Sequence, residues 1–400
     1  MTIAYNGFSY AGFQRQACTN DNKDTPAKSD GWRKRPHPQS NKSKSKTPIT
    51  VQQQIENALE QWSNLSIVTL RVRGAGRTDK GVHAAGQVVA FDIPLSLLQV
   101  PPSSEGETNT NEEVLSTNAL PLLQEAYQML RNSNGTNEDS QRTYRDPSMP
   151  NFLDLWQIRR AISTRLPSDI VIKSVWLRTE VPFEARQGIA CKTYIYKIRF
   201  RSLRYITTKD GTKTVHPICN AGPHLLRRIH DQNNVWLCPW PLDESFLHSA
   251  CEAFVGVHNF YNFVHREEHK KRAMCSNGSK ADSIEKDYTT DLFSFDVHLV
   301  KDGGEGDMNR STSTPPIYNA TFTLKAKGFH RQMVRNLTGY VVDISRGLQL
   351  LDNIPSLLKE TSDSDQETAS RINAAPSCGL CLEHVLYERY HFMKATSMVK

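Results

Sequence analysis

The chain has no apolar run approaching the ~18–20 residues a membrane span needs. It has eight cysteines, but they follow no regular framework, so reduced thiols and an intracellular setting are expected, in the cytoplasm or in an organelle such as a mitochondrion or plastid. The opening "MTIAYNGFSY" carries neither a basic-then-apolar signal nor an Arg/Ser-rich transit segment and reads as a strand at once. An organellar address is therefore not expected within it. No internal repeat is evident by period. Apolar residues make up 38% of the chain, enough for a core but low for 400 residues, so part of the length is expected to lie outside folded structure.

The polar stretches sit where that expectation needs them. Residues 17–48 are basic and nearly devoid of aliphatics, and 101–151 are mostly Ser, Asn, Glu and Thr, with "LLQEAYQML" inside able to form a short helix. The net charge of +7, from 49 Lys+Arg against 42 Asp+Glu, suits a nucleic-acid partner only where the cations cluster.

The remaining segments alternate between two periods. "TIAYNG", "SIVTLRVRG", "QVVAFDI", "DIVIKSVWL", "KTYIYKIRF" and "NATFTLKAK" read as strands. "TVQQQIENALEQW" reads as an amphipathic helix with Val51, Ile55, Ala58, Leu59 and Trp62 on one face, and Thr50 and Gln53 as its capping box. A helix is expected from Asp243 to Val255, and another in "RQMVRNLTGYVVDISRG", ended by Gly347. Strands followed by single packing helices imply an α+β fold, with helices covering one face of an antiparallel or mixed sheet.

Within this frame "RVRGAGRTDKGVHAAGQVVAFD" places one carboxylate, Asp79, in a glycine-rich loop beside Arg77 and Lys80. Glycines let other backbone approach closely, and neighbouring cations favour the ionised form of a carboxylate. Residue types alone fit a tight hairpin with a surface Asp–Arg pair more readily than a site. By the same standard Tyr194 reads as a core aromatic, sharing a strand face with Tyr196, Ile198 and Phe200. Arg331 and Arg335 read as a solvated helix face. The "CGLC" pair Cys378 and Cys381 lacks a second ligand pair, and His265, His269 and Cys275 are only loosely spaced, so neither is taken as a metal site.

The order of the motifs changes that balance. "GAGRTDKGVHAAGQVVAF" closely resembles the "GRTDxGVHA" signature of the tRNA pseudouridine synthase A (TruA) family. In the same order, "IAYNGFSYAGFQRQ", "TVQQQIENAL", "RLPSDIVIKSV", "FEARQGIACKTYIYKI", "FVGVHNFYNF", "GFHRQMVRNLTG" and "AAPSCGLCLEHVLY" resemble its other segments. Asn6, Phe13, Lys80 and Ser163–Thr164–Arg165 depart from the usual residues without removing a catalytic group.

The resemblance implies two similar α/β halves, 1–182 and 183–400, whose sheets join into one extended sheet with a cleft between them. It implies isomerisation of uridine to pseudouridine at positions 38–40 of the tRNA anticodon stem-loop, by a homodimer. Asp79 would be the nucleophilic carboxylate, with Arg77 and Arg335 orienting it and Tyr194 stacking on the base. Arg186, Lys80, His83, Lys192 and Arg331 would bind RNA. No step of that chemistry requires a metal or another cofactor, and no membrane is expected. Further basic residues, Lys197, Arg199, Arg201, Arg204, Arg227, Arg228, Lys325 and Lys327, are candidates for backbone contact. Two other readings stay open: a catalytically silent RNA-binding protein of the same fold, and a metal-dependent RNA hydrolase using Asp79, which lacks the expected carboxylate and His cluster.

Overall fold

A computed structural model of the chain describes residues 1–15, 48–94, 155–176, 183–220, 222–228, 233–265, 288–302, 314–359 and 372–388. The polar stretches expected at 17–48 and 101–151 lie almost wholly outside the described residues. So do the helix expected at Leu122–Leu130, the boundary near 182, and the candidate ligands His269 and Cys275.

Strand β1 (Thr2–Tyr5) opens the chain. Helix α1 (Val51–Ser63) begins where the Thr50 hydroxyl accepts the Gln53 amide at 3.3 Å and stops at Asn64, whose backbone is left-handed. Val51, Ile55, Ala58 and Leu59 are buried, and Trp62 packs at the margin of the core.

The next segment corrects the sequence reading. Residues 66–74 are not one strand: Ile67–Leu70 form a helical turn, α2, and only Arg73–Gly74 pair as β2. Ser66 caps the turn by accepting the Thr69 amide, and Arg71 ends it in the left-handed region at φ 42°. The apparent alternation of Val68 and Leu70 is not one buried face, because Leu70 is fully buried while Val68 is 79% exposed.

Strand β3 (His83–Ala90), helix α3 (Leu155–Ser163) and β4 (Ile170–Ser174) follow, then the long β5 (Ile189–Ser202) and a separate hairpin of β6 (Tyr205–Thr207) and β7 (Lys213–Val215). After β8 (Trp236–Leu242) come α4 (Ser245–Glu252), β9 (Gly256–Asn259), β10 (Thr289–Lys301) and β11 (Ile317–Ala326). Helix α5 (Met333–Ser345), the short α6 (Ile354–Leu357) and β12 (Leu380–Tyr387) complete the order. Gly347 at φ 78° closes α5: its amide reaches the Ile344 carbonyl and the Leu348 amide the Asp343 carbonyl, which satisfies carbonyls the helix leaves open.

One mixed sheet runs β4-β1-β3-β12-β5-β11-β10-β9, with β2 added on β3 and β8 on β5. This large sheet with helices packed on it is the α+β architecture expected. The last strand, β12, lies in its middle. It is antiparallel to β5, but its pairing with β3 is parallel and narrow, Cys381 with His83 and Leu382 with Ala84. Along β5, Tyr194, Tyr196, Ile198 and Phe200 are buried on one face, and Leu324, Phe322 and Ala320 continue that face on β11. Helix α5 joins it through rings: Tyr340 meets Phe254, Phe254 meets Phe295 and Phe295 meets Phe322, with centroids 6.0–6.2 Å apart.

Candidate active site

The loop between β2 and β3 is tied down almost residue by residue. Arg186 Nε donates to the Gly74 carbonyl at 3.3 Å, Lys192 Nζ to Ala75 at 3.0 Å and Gln87 Nε2 to Gly76 at 2.8 Å. Further on, the Phe13 amide donates to the Thr78 carbonyl at 3.1 Å, and the Gly81 amide to that of Tyr10 at 3.3 Å. The hydroxyls of Tyr5 and Thr78 share a bond of 2.8 Å. Glycine is required where other chain presses in: a methyl on Gly74 would sit 2.3 Å from the Phe13 ring, and one on Gly7 would sit 1.8 Å from the Val82 carbonyl oxygen. Phe13, a departure from the family pattern, thus fills the space over Gly74.

Asp79 sits at the turn of this loop with its side chain 25% exposed. Two arginines face it, Arg331 from just before α5 and Arg335 from its first turn. Arg331 Nε is 3.7 Å from one carboxylate oxygen and Arg335 Nη1 is 4.0 Å from the other. Both separations exceed a hydrogen bond, so the charges hold the carboxylate while leaving its lone pairs available. Arg335 is itself fixed. Its Nε donates to the Ala375 carbonyl at 2.6 Å, and its own carbonyl accepts the Ala375 amide at 2.9 Å. The Tyr196 hydroxyl holds the next carbonyl, Pro376, at 2.7 Å. A segment nearly three hundred residues from the loop in sequence therefore sets the cation opposite it.

Tyr194 lies buried on β5, edge-on to Phe329 with ring centroids 5.2 Å apart. Burial first, then the charge of Asp79, pushes its phenol well above the ordinary tyrosine range, so it stays protonated at neutral pH. Tyr5 is raised too, chiefly by burial. Three groups near the loop, Tyr5, Thr78 and Gln87, escaped the sequence reading. The signal for Gln87 was a polar residue in an otherwise apolar strand; it is fully buried and spends its amide on the loop.

The other candidates divide. Arg77 and Lys80 are exposed, and among the described residues the ion pairs of Asp79 come from Arg331 and Arg335 rather than from Arg77. His83 is buried, and its Nδ1 accepts the Gly7 amide at 3.2 Å, a structural bond under the loop. Five residues of the basic set are committed elsewhere. Arg199 is buried and paired with Asp302, Arg228 also pairs with Asp302, Arg204 pairs with Glu244, Lys327 pairs with Glu388, and Arg201 is buried. Arg199 and Arg201 lie on the face of β5 opposite Tyr194, as strand alternation dictates. Cys378 and Cys381 are free thiols, and burial pushes Cys381 up to about 11. Among the described residues no group of three or more His, Cys, Asp or Glu is placed to hold a metal, and no helix is long and apolar enough to cross a membrane.

His83 yields a pH prediction. Burial lowers its pKa below the ordinary value, so the unfolded chain takes up a proton first as pH falls. Stability from this residue is full above the unfolded pKa of about 6.5 and is lost as pH drops through and below it. Urea unfolding at pH 7.5 and 5.5 is expected to show this loss, and His83→Gln, which keeps an acceptor but does not titrate, should reduce it. Equal slopes in the two proteins would remove His83 from the account.

Comparison with known proteins accords with this arrangement. A family model described as tRNA pseudouridine synthase matches residues 250–388, which include Arg331, Arg335 and β12. The chain is 25% identical over 386 residues to tRNA pseudouridine synthase A 1 of a Bacillus cereus strain, covering 96% of this chain and 97% of that one. It is 24% identical over 387 residues to tRNA pseudouridine synthase A of Thermodesulfovibrio yellowstonii, covering 97% and 98%. The same identity over 387 residues relates it to the enzyme of that name from Streptococcus pneumoniae, covering 97% of each. The chain is thus similar over nearly its whole length to proteins named tRNA pseudouridine synthase A, and its residues 250–388 match the pseudouridine synthase family model.

Proposed function

We propose that this chain isomerises uridine to pseudouridine in tRNA, with Asp79 as the nucleophilic carboxylate. The observation that carries the reading is a partly exposed carboxylate facing Arg331 and Arg335 beside a buried tyrosine, in segments collinear with the family's motifs. The target nucleotide leaves its stack to reach such a site. An Asp79 oxygen attacks the anomeric carbon as the bond to N1 breaks and the uracil departs as an anion. The base turns, C5 displaces the carboxylate from the same carbon, and the C5 proton is lost while N1 gains one. Atoms and electrons balance without an oxidant or added group.

The elevated pKa of Tyr194 suits a protonated ring that borders the base rather than a tyrosinate base. The freed Asp79 carboxylate is the acceptor at hand for the C5 proton. Arg335 keeps the carboxylate aimed. Arg335→Met is expected to lower kcat by about 10²–10³-fold with little change in tRNA affinity, the scale of losing one fixed charge at a reacting centre. Steady-state kinetics on unmodified tRNA checks this, and a rise in KM at constant kcat would make Arg335 a binding group instead.

The family resemblance extends the reading to an intracellular enzyme with a cleft between two halves of one sheet, acting as a homodimer on uridines 38–40. Mapping pseudouridine in tRNA after incubation tests the positions, and sedimentation tests the dimer. Product confined to another arm of the tRNA, or a monomer in complex with it, would overturn those details.

A further inference from the structure

Lys192 sits two residues before Tyr194 on β5, so both side chains leave the strand on the same face. The sequence reading placed it against RNA. In the structure its ammonium reaches under the loop to the Ala75 carbonyl, and a methyl on Gly76 would come 3.4 Å from Nζ. Arg186 and Gln87 take the carbonyls on either side, so three successive peptide oxygens are held by three side-chain donors from two strands and a turn. Burial and the neighbouring Arg186 charge lower the Lys192 pKa, a cost that an exposed phosphate ligand would not incur. The far end of the loop is held separately, by the Phe13 amide on Thr78 and the Tyr10 carbonyl on the Gly81 amide. Asp79 lies within this second anchorage, between Thr78 and Gly81, and four residues beyond Ala75.

We infer that Lys192 is a positioning residue of the reaction, the centre of a clasp with Arg186 and Gln87 that fixes the first half of the loop and so aims Asp79. The inference rests on Asp79 being the reacting carboxylate. A displacement of about 1 Å at such a group costs on the order of 10²-fold in rate. Lys192 thereby acts through the backbone rather than on substrate.

Three proteins test it: the natural chain, Lys192→Met, and Lys192→Arg, which restores a cationic donor. Lys192→Met is expected to lower kcat about 10²-fold while KM changes less than threefold. The slope of log Kd for tRNA against log salt should stay that of the natural chain, and Lys192→Arg should recover at least a tenth of the natural kcat. Hydrogen exchange without tRNA gives a readout free of activity: amides from Gly76 to Val82 should exchange at least tenfold faster in Lys192→Met, with β11 unchanged. A phosphate contact would instead lower the salt slope by roughly 0.7–1 and leave kcat intact, and that result overturns the inference. Unchanged loop exchange also overturns it. Should the natural chain itself release no C5 proton, the synthase reading fails, while the exchange measurement still decides whether the clasp exists.

Discussion

Asp79→Asn is expected to reduce kcat by at least about 10³-fold while leaving tRNA affinity within about threefold of the natural protein. An amide keeps the size of the carboxylate but is neither a nucleophile toward an anomeric carbon nor a counter-charge for the positive character that develops there. The exposed cations, which on the proposed reading meet the RNA backbone, are untouched, so binding is expected to persist. The change also leaves Arg331 and Arg335 facing a neutral group, but Arg335 keeps its two bonds to Ala375 and the loop keeps its carbonyl anchors. Folding should therefore be little affected, and the loss should appear in the single-turnover rate. A variant that retained a tenth of the natural rate would show that Asp79 is not the reacting group.

The largest structural effect is expected at Gly86. A methyl there would sit 2.4 Å from the Glu383 carbonyl oxygen, and the contact is backbone, which has no flexible end to move aside. β3 and β12 are paired in register at only two positions along this seam, Cys381 with His83 and Leu382 with Ala84, close to this contact. The seam also joins the two sources of the site: the Asp79 loop runs into β3, and the Ala375 segment that fixes Arg335 runs into β12. Gly86→Ala is expected to cost about 2–4 kcal/mol through overpacking. At about 2 °C per kcal/mol, the scale for a folded domain of some 250 residues, that lowers Tm by roughly 4–8 °C. Activity at 20 °C should fall further than the folded fraction accounts for, because Asp79 and Arg335 separate. Thermal denaturation alongside proton release checks both, and a Tm within 2 °C of the natural value would mean that the seam has slack.

What the sequence made legible was local. The face of α1 could be read because its period, its Thr50 cap and its burial all agree. The closing of α5 at Gly347 could be read because only a left-handed residue ends a helix that way. Residues 66–74 failed because β-branched residues at alternate positions look like a strand, whereas the Ser66 cap and the turn at Arg71 decide the backbone. β10 and β12 left weaker marks, and no local pattern places β12 between β3 and β5.

The site divides along the same line. The carboxylate loop stood out by composition, but its partners come from residues some 250 positions away and were visible only through the resemblance. Arg77, two residues away in sequence, reads as the natural partner, yet it is exposed and Asp79 pairs with Arg331 and Arg335. Arg199 and Arg201 read as RNA-facing because they are cationic and close in sequence to Tyr194. Their odd-numbered positions already put them on the other face.

The most direct measurement is release of tritium by the natural protein from unmodified tRNA labelled at C5 of uridine, with a chelator present. The account predicts release that rises with enzyme, with one pseudouridine formed per tritium lost, and no dependence on added metal. Binding of the same tRNA with no tritium release would contradict it and leave a silent RNA-binding protein of this fold. Release that the chelator abolishes would point instead to a metal site.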